Sequence, residues 1–381
     1  MLDFLKNEEK KVEYVELIYD LIFVYIIGRN NSLVSHITNG FIDPDAFITY
    51  VLCTLITIQI WYLTTLFINR YGDNGAAEYI GLFINMYLLY YMADGTRLHW
   101  QAHFYRYNIA WMLILVNILV QYYLKYRKTV RETPWESSNI KFFMYLLLAM
   151  IAVIGIGILL YALTGLPLSP LAMVAGILFT ILGRSRLDLM AVDFPHLTER
   201  VMLYVVFTFG EMIIVVGSYF SGGFNFSTVY FSGCAFLIVV GLFMSYGFMY
   251  DKLLDRDMSV NGNTYMLLHI FIIFSLSCLT MALEFMREDE IALIPKIVFL
   301  VSSFVIYYIC IFALAPFLKG FDGHLSCFRD FAVSLVVFVL LMIAAYKVPR
   351  VNIAISVLMT FNIWFLEYRY WKRLREEGLA E

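Results

Sequence analysis

Apolar runs of bilayer length, following one another along almost the whole chain, leave few folds open. Bounded by charges, Gly or Pro, they fall near residues 12–29, 45–68, 78–95, 104–124, 142–163, 167–183, 199–220, 228–250, 264–284, 295–317, 329–346 and 350–371. One crossing takes about 20 mostly apolar residues, and in lipid only a helix or a closed barrel satisfies the backbone. Twelve crossings would use roughly 240 residues. The rest of the 381 serves connections and tails and leaves no room for a soluble domain. Composition agrees: 61% of residues are hydrophobic and 15% charged, where soluble domains have about 45–50% and about 25%. The expected fold is all-α, a polytopic transmembrane helix bundle of about twelve spans.

A net charge of −3, from 27 basic and 30 acidic residues, excludes the basic surface of a nucleic-acid binder. With both termini cytoplasmic, 20 of the 27 Lys and Arg fall on the cytoplasmic side, among them Lys125, Arg127, Lys128, Arg131, Lys141, Arg184, Arg186 and the tail Arg369 to Arg375. That is the positive-inside bias, and an odd number of spans would scramble it. The first apolar run carries Glu16 and Asp20, which a cleavable signal would not tolerate well, so the first helix is expected to be retained. Cys53, Cys234, Cys278, Cys310 and Cys327 show no C-x-x-C spacing and read as packing residues. No cofactor or metal is expected.

Similar residues recur at an offset of 182 to 186: Glu16 and Glu199, Tyr79 and Tyr265, Pro134 and Pro316, Pro167 and Pro349. Two six-span halves in the same orientation, residues 1–183 and 184–381, would produce this spacing, because an even number of spans returns the chain to its starting side.

Acidic residues inside these runs mark the candidate site. Glu13, Glu16 and Asp20 follow at i, i+3 and i+7 and therefore share a helix face. A central Asp costs roughly 2.5 to 3.5 kcal/mol on insertion scales, so that face must look into the protein. In the seventh run Arg200, Tyr204, Glu211 and Ser218 form a polar line. With Arg200 at the interface, Glu211 would lie about 16 Å deeper. Gly210 and Gly217 would let a neighbouring helix approach closely. Gln59, Trp61 and Thr57 in the second run, and Glu78 and Asn85 in the third, add weaker candidates. His269, about one turn into the ninth run, could relay protons near neutral pH.

These residues resemble a family. VELIYDLIFVYII at 15–27 resembles the E-L-F-F-D-L-V-F-V opening of the low temperature requirement A (LtrA) membrane proteins of bacteria. INRYGDN at 68–74 is similar to their N-R-F-D-x-D segment, and HLTERVMLYVVFTFGE at 196–211 to their H-x-x-E-R to G-E segment. The resemblance marks Glu16, Asp20, Asn69, Arg70, Asp73, His196, Glu199, Arg200, Gly210 and Glu211 as signature positions. The chain departs from the pattern at Ile18, Tyr19, Tyr71, Asn74 and Met202, none of them a mid-run acid. It implies a multi-pass protein of the bacterial cell membrane, named for growth in the cold, without a settled reaction or substrate.

Asp20 and Glu211, with Glu16, Arg200 and His269, point to a cation- or proton-coupled transporter or channel, since burial lets a carboxyl hold a proton or an ion. The alternatives are a membrane sensor or scaffold supporting growth in the cold, and an intramembrane enzyme. The sequence has no H-E-x-x-H and no G-x-S-x-G, which argues against an enzyme. The expected partners are the lipid bilayer and a small cation or proton.

Overall fold

The computed structural model describes residues 11–94, 100–130, 133–183, 192–321 and 326–379. It is 83% helical, with twelve helices among the described residues, eight of them long and apolar enough to cross a membrane. They are α1 (Tyr14–Asn31), α2 (Pro44–Tyr71), α3 (Ala76–Asp94), α4 (Trp100–Thr129), α5 (Pro134–Thr164), α6 (Leu171–Leu182), α7 (Phe194–Ser218), α8 (Phe226–Phe248), α9 (Asn263–Arg287), α10 (Leu293–Ala313), α11 (Ser326–Ala344) and α12 (Pro349–Glu376). Each expected run corresponds to one of these helices. The eight of membrane length and hydropathy are α2, α4, α5, α7, α8, α9, α10 and α12. α1 carries Glu16, Asp20 and Arg29 within 18 residues, and α6 has only 12.

Local chemistry sets several helix ends. Pro134 and Pro349 open α5 and α12 at positions where a missing N–H costs nothing. Gly165 closes α5 in the left-handed conformation, φ 74°, its N–H donating to Tyr161. Asn225 caps α8 by accepting from the Thr228 N–H at 2.8 Å.

The all-α expectation needs one addition. Ile37–Thr38 (β1) and Phe41–Ile42 (β2) form a short antiparallel hairpin. Asn39 and Gly40 turn it with φ of 52° and 81°, the geometry for which Asn-Gly is the favoured pair.

The chain divides into two compact units. Unit 1 takes residues up to Ser35, Pro44–Leu203 and Ser259–Met266. In it α4 packs on α3 and α5, α6 on α5, and α1 on α2 and α3. Unit 2 takes His36–Asp43, Tyr204–Met258 and Leu267 onward. There α12 packs on α8 and α11, and α10 on both α11 and α12.

Of the most apolar stretch of α2, 83% is buried, against 28% of α5. The uncovered apolar side chains of α5, Leu159 and Leu163 among them, suit a lipid-facing helix. α2 instead lies inside unit 1 and presents its polar residues to protein.

Candidate functional site

The strongest polar cluster lies in unit 1, where α1, α2 and the start of α7 meet. Glu16 and Asp20, one turn apart on α1, are 1% and 0% exposed. Arg200, also 0% exposed, reaches both. Its Nη2 donates to Asp20 Oδ1 at 2.6 Å and its Nε to Asp20 Oδ2 at 3.2 Å, a forked charge-assisted pair. The same Nε lies 3.3 Å from Glu16 Oε2. Trp61 of α2 completes the Asp20 shell, its indole Nε1–H donating to Oδ1 at 2.8 Å. Beside it the Tyr19 hydroxyl donates to Thr64 Oγ1 at 3.0 Å.

His196 Nε2 lies 3.2 Å from Glu16 Oε2, and the surrounding bonds fix which ring nitrogen holds the proton. The Asp193 N–H donates to Asn69 Oδ1 at 3.1 Å, which orients the Asn69 amide. Asn69 Nδ2 then donates to the Asp193 carbonyl at 2.8 Å and meets His196 Nδ1 at 3.0 Å. An amide nitrogen only donates, so Nδ1 accepts, and in the neutral ring Nε2 carries the hydrogen. Asp193 is itself the N-cap of α7, its Oδ1 accepting from the His196 N–H at 3.0 Å. Helix start, amide orientation and imidazole tautomer are therefore set by adjacent bonds.

The other expected residues are distributed differently. Arg200 is not an exposed anchor at a helix end but is buried against Asp20. Glu211 lies eleven residues further along α7, about 16 Å of helix, in unit 2 and at intermediate exposure. Among the described residues no atom lies within 4 Å of a Cβ built at Gly210 or Gly217. The close helix approach expected there is therefore absent: neither position is packed against protein. Glu199 is half-buried. His269, in unit 2, pairs its Nε2 with the Tyr246 hydroxyl at 3.0 Å.

Arg70 leaves the cluster: its Nη2 donates to the Asn261 carbonyl at 2.8 Å, and the guanidinium lies 5.2 Å from the centre of the Phe143 ring. Asp73 pairs with Lys128 at 3.3 Å on the surface, beside a shallow cleft lined also by Glu78, Gln121 and Lys125. Burial works to raise the Asp73 carboxyl, but the hydrogen bond and charge of Lys128 outweigh it and hold the group below its ordinary value. Glu13 stands apart from the buried acids, its Oε1 accepting from Asn74 Nδ2 at 3.3 Å. Asn85 accepts from Asn117 at 2.7 Å, and Gln59 donates to the Met173 carbonyl at 3.1 Å.

Asn69 and His196 stand in separate sequence motifs 127 residues apart, a separation that carries no spacing signal for their contact. No group of three or more His, Cys, Asp or Glu suited to a metal occurs among the described residues.

The fold and the site define a multi-pass helical membrane protein with a buried carboxylate–guanidinium–imidazole cluster. The sequence matches the family described as Bacterial low temperature requirement A protein (LtrA) over residues 11–365. The chain belongs to that family, with Glu16, Asp20, Asn69, His196 and Arg200 of its signature segments gathered in one place. No curated protein matches it.

Proposed function

We propose that this protein is a cation- or proton-coupled transporter or channel whose ionisable station is the Glu16–His196 pair beside Asp20 and Arg200. The observation that carries the reading is the 3.2 Å contact between Glu16 Oε2 and His196 Nε2, both 1% exposed. Arg200 compensates Asp20 through two bonds. Glu16 lies 3.3 Å from Nε of that guanidinium and also faces the His196 imidazole, the ring type that serves as a proton relay. The cluster can thus take up or release one positive charge without breaking the Arg200–Asp20 fork. Buried charge is tolerated only when compensated, so such a change calls for an ion or proton to move.

In this reading Glu211 and His269 form a second station in unit 2. The twelve helices are twelve spans in the cell membrane with both termini cytoplasmic, arranged as two parallel six-span halves, residues 1–183 and 184–381. The protein is not an enzyme.

The test is ion and pH flux into liposomes containing the purified protein. Glu16→Gln is expected to abolish flux with the fold retained, Glu211→Gln to reduce it, and Asp73→Asn to leave it intact. Normal flux in Glu16→Gln removes the proposed station.

A further inference from the structure

Unit 2 holds a buried acid that none of the signature segments contains. Glu367 lies on α12 and is 4% exposed. A Cβ built at Gly241 on α8 would overlap the Thr360 side chain of α12, so the missing side chain lets the two helices touch there. One turn on from Gly241, Ser245 is brought opposite Glu367 and its hydroxyl donates to Oε1 at 2.8 Å.

The other carboxyl oxygen, Oε2, is buried with no hydrogen-bond partner among the described residues. From α10, Tyr307 and Tyr308, both 0% exposed, have hydroxyls equally without partners. Glu367 acts electrostatically on both hydroxyls. A buried carboxyl oxygen without a partner is rare in folded proteins and calls for a ligand or water, and α10, which carries the two tyrosines, packs on α12, which carries Glu367. The titratable groups nearest in sequence on the same elements are Tyr368, Arg369 and Tyr370 of α12, Tyr246 of α8, which meets His269, Tyr250 and the exposed Asp251 and Lys252 in the turn that ends α8, and Cys310 of α10.

We propose that Glu367, Ser245, Tyr307 and Tyr308 form a binding site for a single positive charge, either sodium ion or proton, enclosed by α8, α10 and α12. Oxygen donors suit hard cations and not transition metals. A single carboxylate balances one unit of charge, which selects a monovalent ion over a divalent one. A proton on Oε2 would meet the same need by turning an orphaned acceptor into a donor toward a tyrosine oxygen. The site stands on unit 2 alone, independently of the Glu16 station.

The experiment is equilibrium binding of radioactive sodium to the full chain in nanodiscs across a pH series, with infrared titration of carboxyl groups on the same samples. It compares wild type, Glu367→Gln and Tyr308→Phe. A sodium site gives saturable binding that protons displace, lost in Glu367→Gln and weakened about tenfold in Tyr308→Phe, the worth of one hydrogen bond to charge. A proton site gives no sodium binding but a titrating carboxyl band that Glu367→Gln removes and Tyr308→Phe shifts. Equal sodium binding in wild type and Glu367→Gln, with no titrating band lost, overturns the proposal. Should Glu367→Gln not fold, unchanged binding and an unchanged titration in Tyr308→Phe overturn it as well. Because binding is read without flux, this result is separate from the liposome assay.

Discussion

Arg200 and Asp20, 180 residues apart, meet through two parallel bonds at 2.6 and 3.2 Å with neither side chain exposed. A fork of this kind ties α1 to α7 by direction as well as by charge. Removing one partner leaves the other charged and dry, which costs about 3–5 kcal/mol. Asp20→Asn is therefore expected to lower the thermal midpoint of the detergent-purified protein substantially. Arg200→Gln should lower it further, because two carboxylates then face each other. The double variant should lose less than the sum of the two, since charge is removed from both sides. Additive losses in thermal melts would show that the two residues are not coupled.

The His196 tautomer gives a spectroscopic prediction. Nitrogen NMR of the labelled imidazole should show Nδ1 bare and Nε2 protonated in the wild type. Asn69→Ala removes the donor that fixes this arrangement, and a mixture of tautomers is expected. Asp193→Ala should have a weaker form of the same effect while costing α7 its cap, about 1 kcal/mol. A single unchanged tautomer in Asn69→Ala would sever Asn69 from the ring.

At the surface, the Asp73–Lys128 pair predicts a modest pH dependence. The folded carboxyl lies below its ordinary value, so the pair's contribution is fully present above about pH 4. It is lost as pH falls from there through the depressed folded value. The pair is half-exposed, with 71% and 48% of its side chains open to solvent, which limits it to about 0.5 kcal/mol. Melts of wild type and Lys128→Ala should differ slightly at neutral pH and converge in acid.

Gly262 precedes α9 with φ 71°, and a Cβ there would lie 2.5 Å from Leu197 Cδ2 and 3.0 Å from Val192. Gly262→Ala therefore combines backbone strain with a clash against the first turn of α7. A loss of about 2 kcal/mol is expected, read from the thermal midpoint. Gly210→Ala, with open space around it, should change stability little and serves as the control.

The helices were legible because bilayer thickness imposes one length on apolar runs. The run expected at 45–68 became Pro44–Tyr71, and that at 228–250 became Phe226–Phe248. The hairpin at Asn39–Gly40 carried a readable signal, the favoured dipeptide for a tight turn, but it lies in a short connection between two long apolar runs. In the site, helical periodicity placed Glu16 and Asp20 on one buried face. It placed Arg200 at a helix end because charge alone suggests water, whereas a carboxylate partner on another helix made burial affordable. Glu367 sits beside Tyr368, Arg369 and Tyr370 near the end of the last run and reads there as an interfacial residue. Its partner Ser245 is 122 positions earlier, a separation that no local pattern encodes.

Asp193 closes the first turn of α7 with its side chain and orients the Asn69 amide with its backbone. Fraying of that turn would free the amide, and the amide is what keeps the His196 proton on Nε2. One residue at the start of a helix thus sets both the end of that helix and the handedness of a buried ring's hydrogen bonding, so a substitution there is felt at two places that the sequence keeps 124 residues apart.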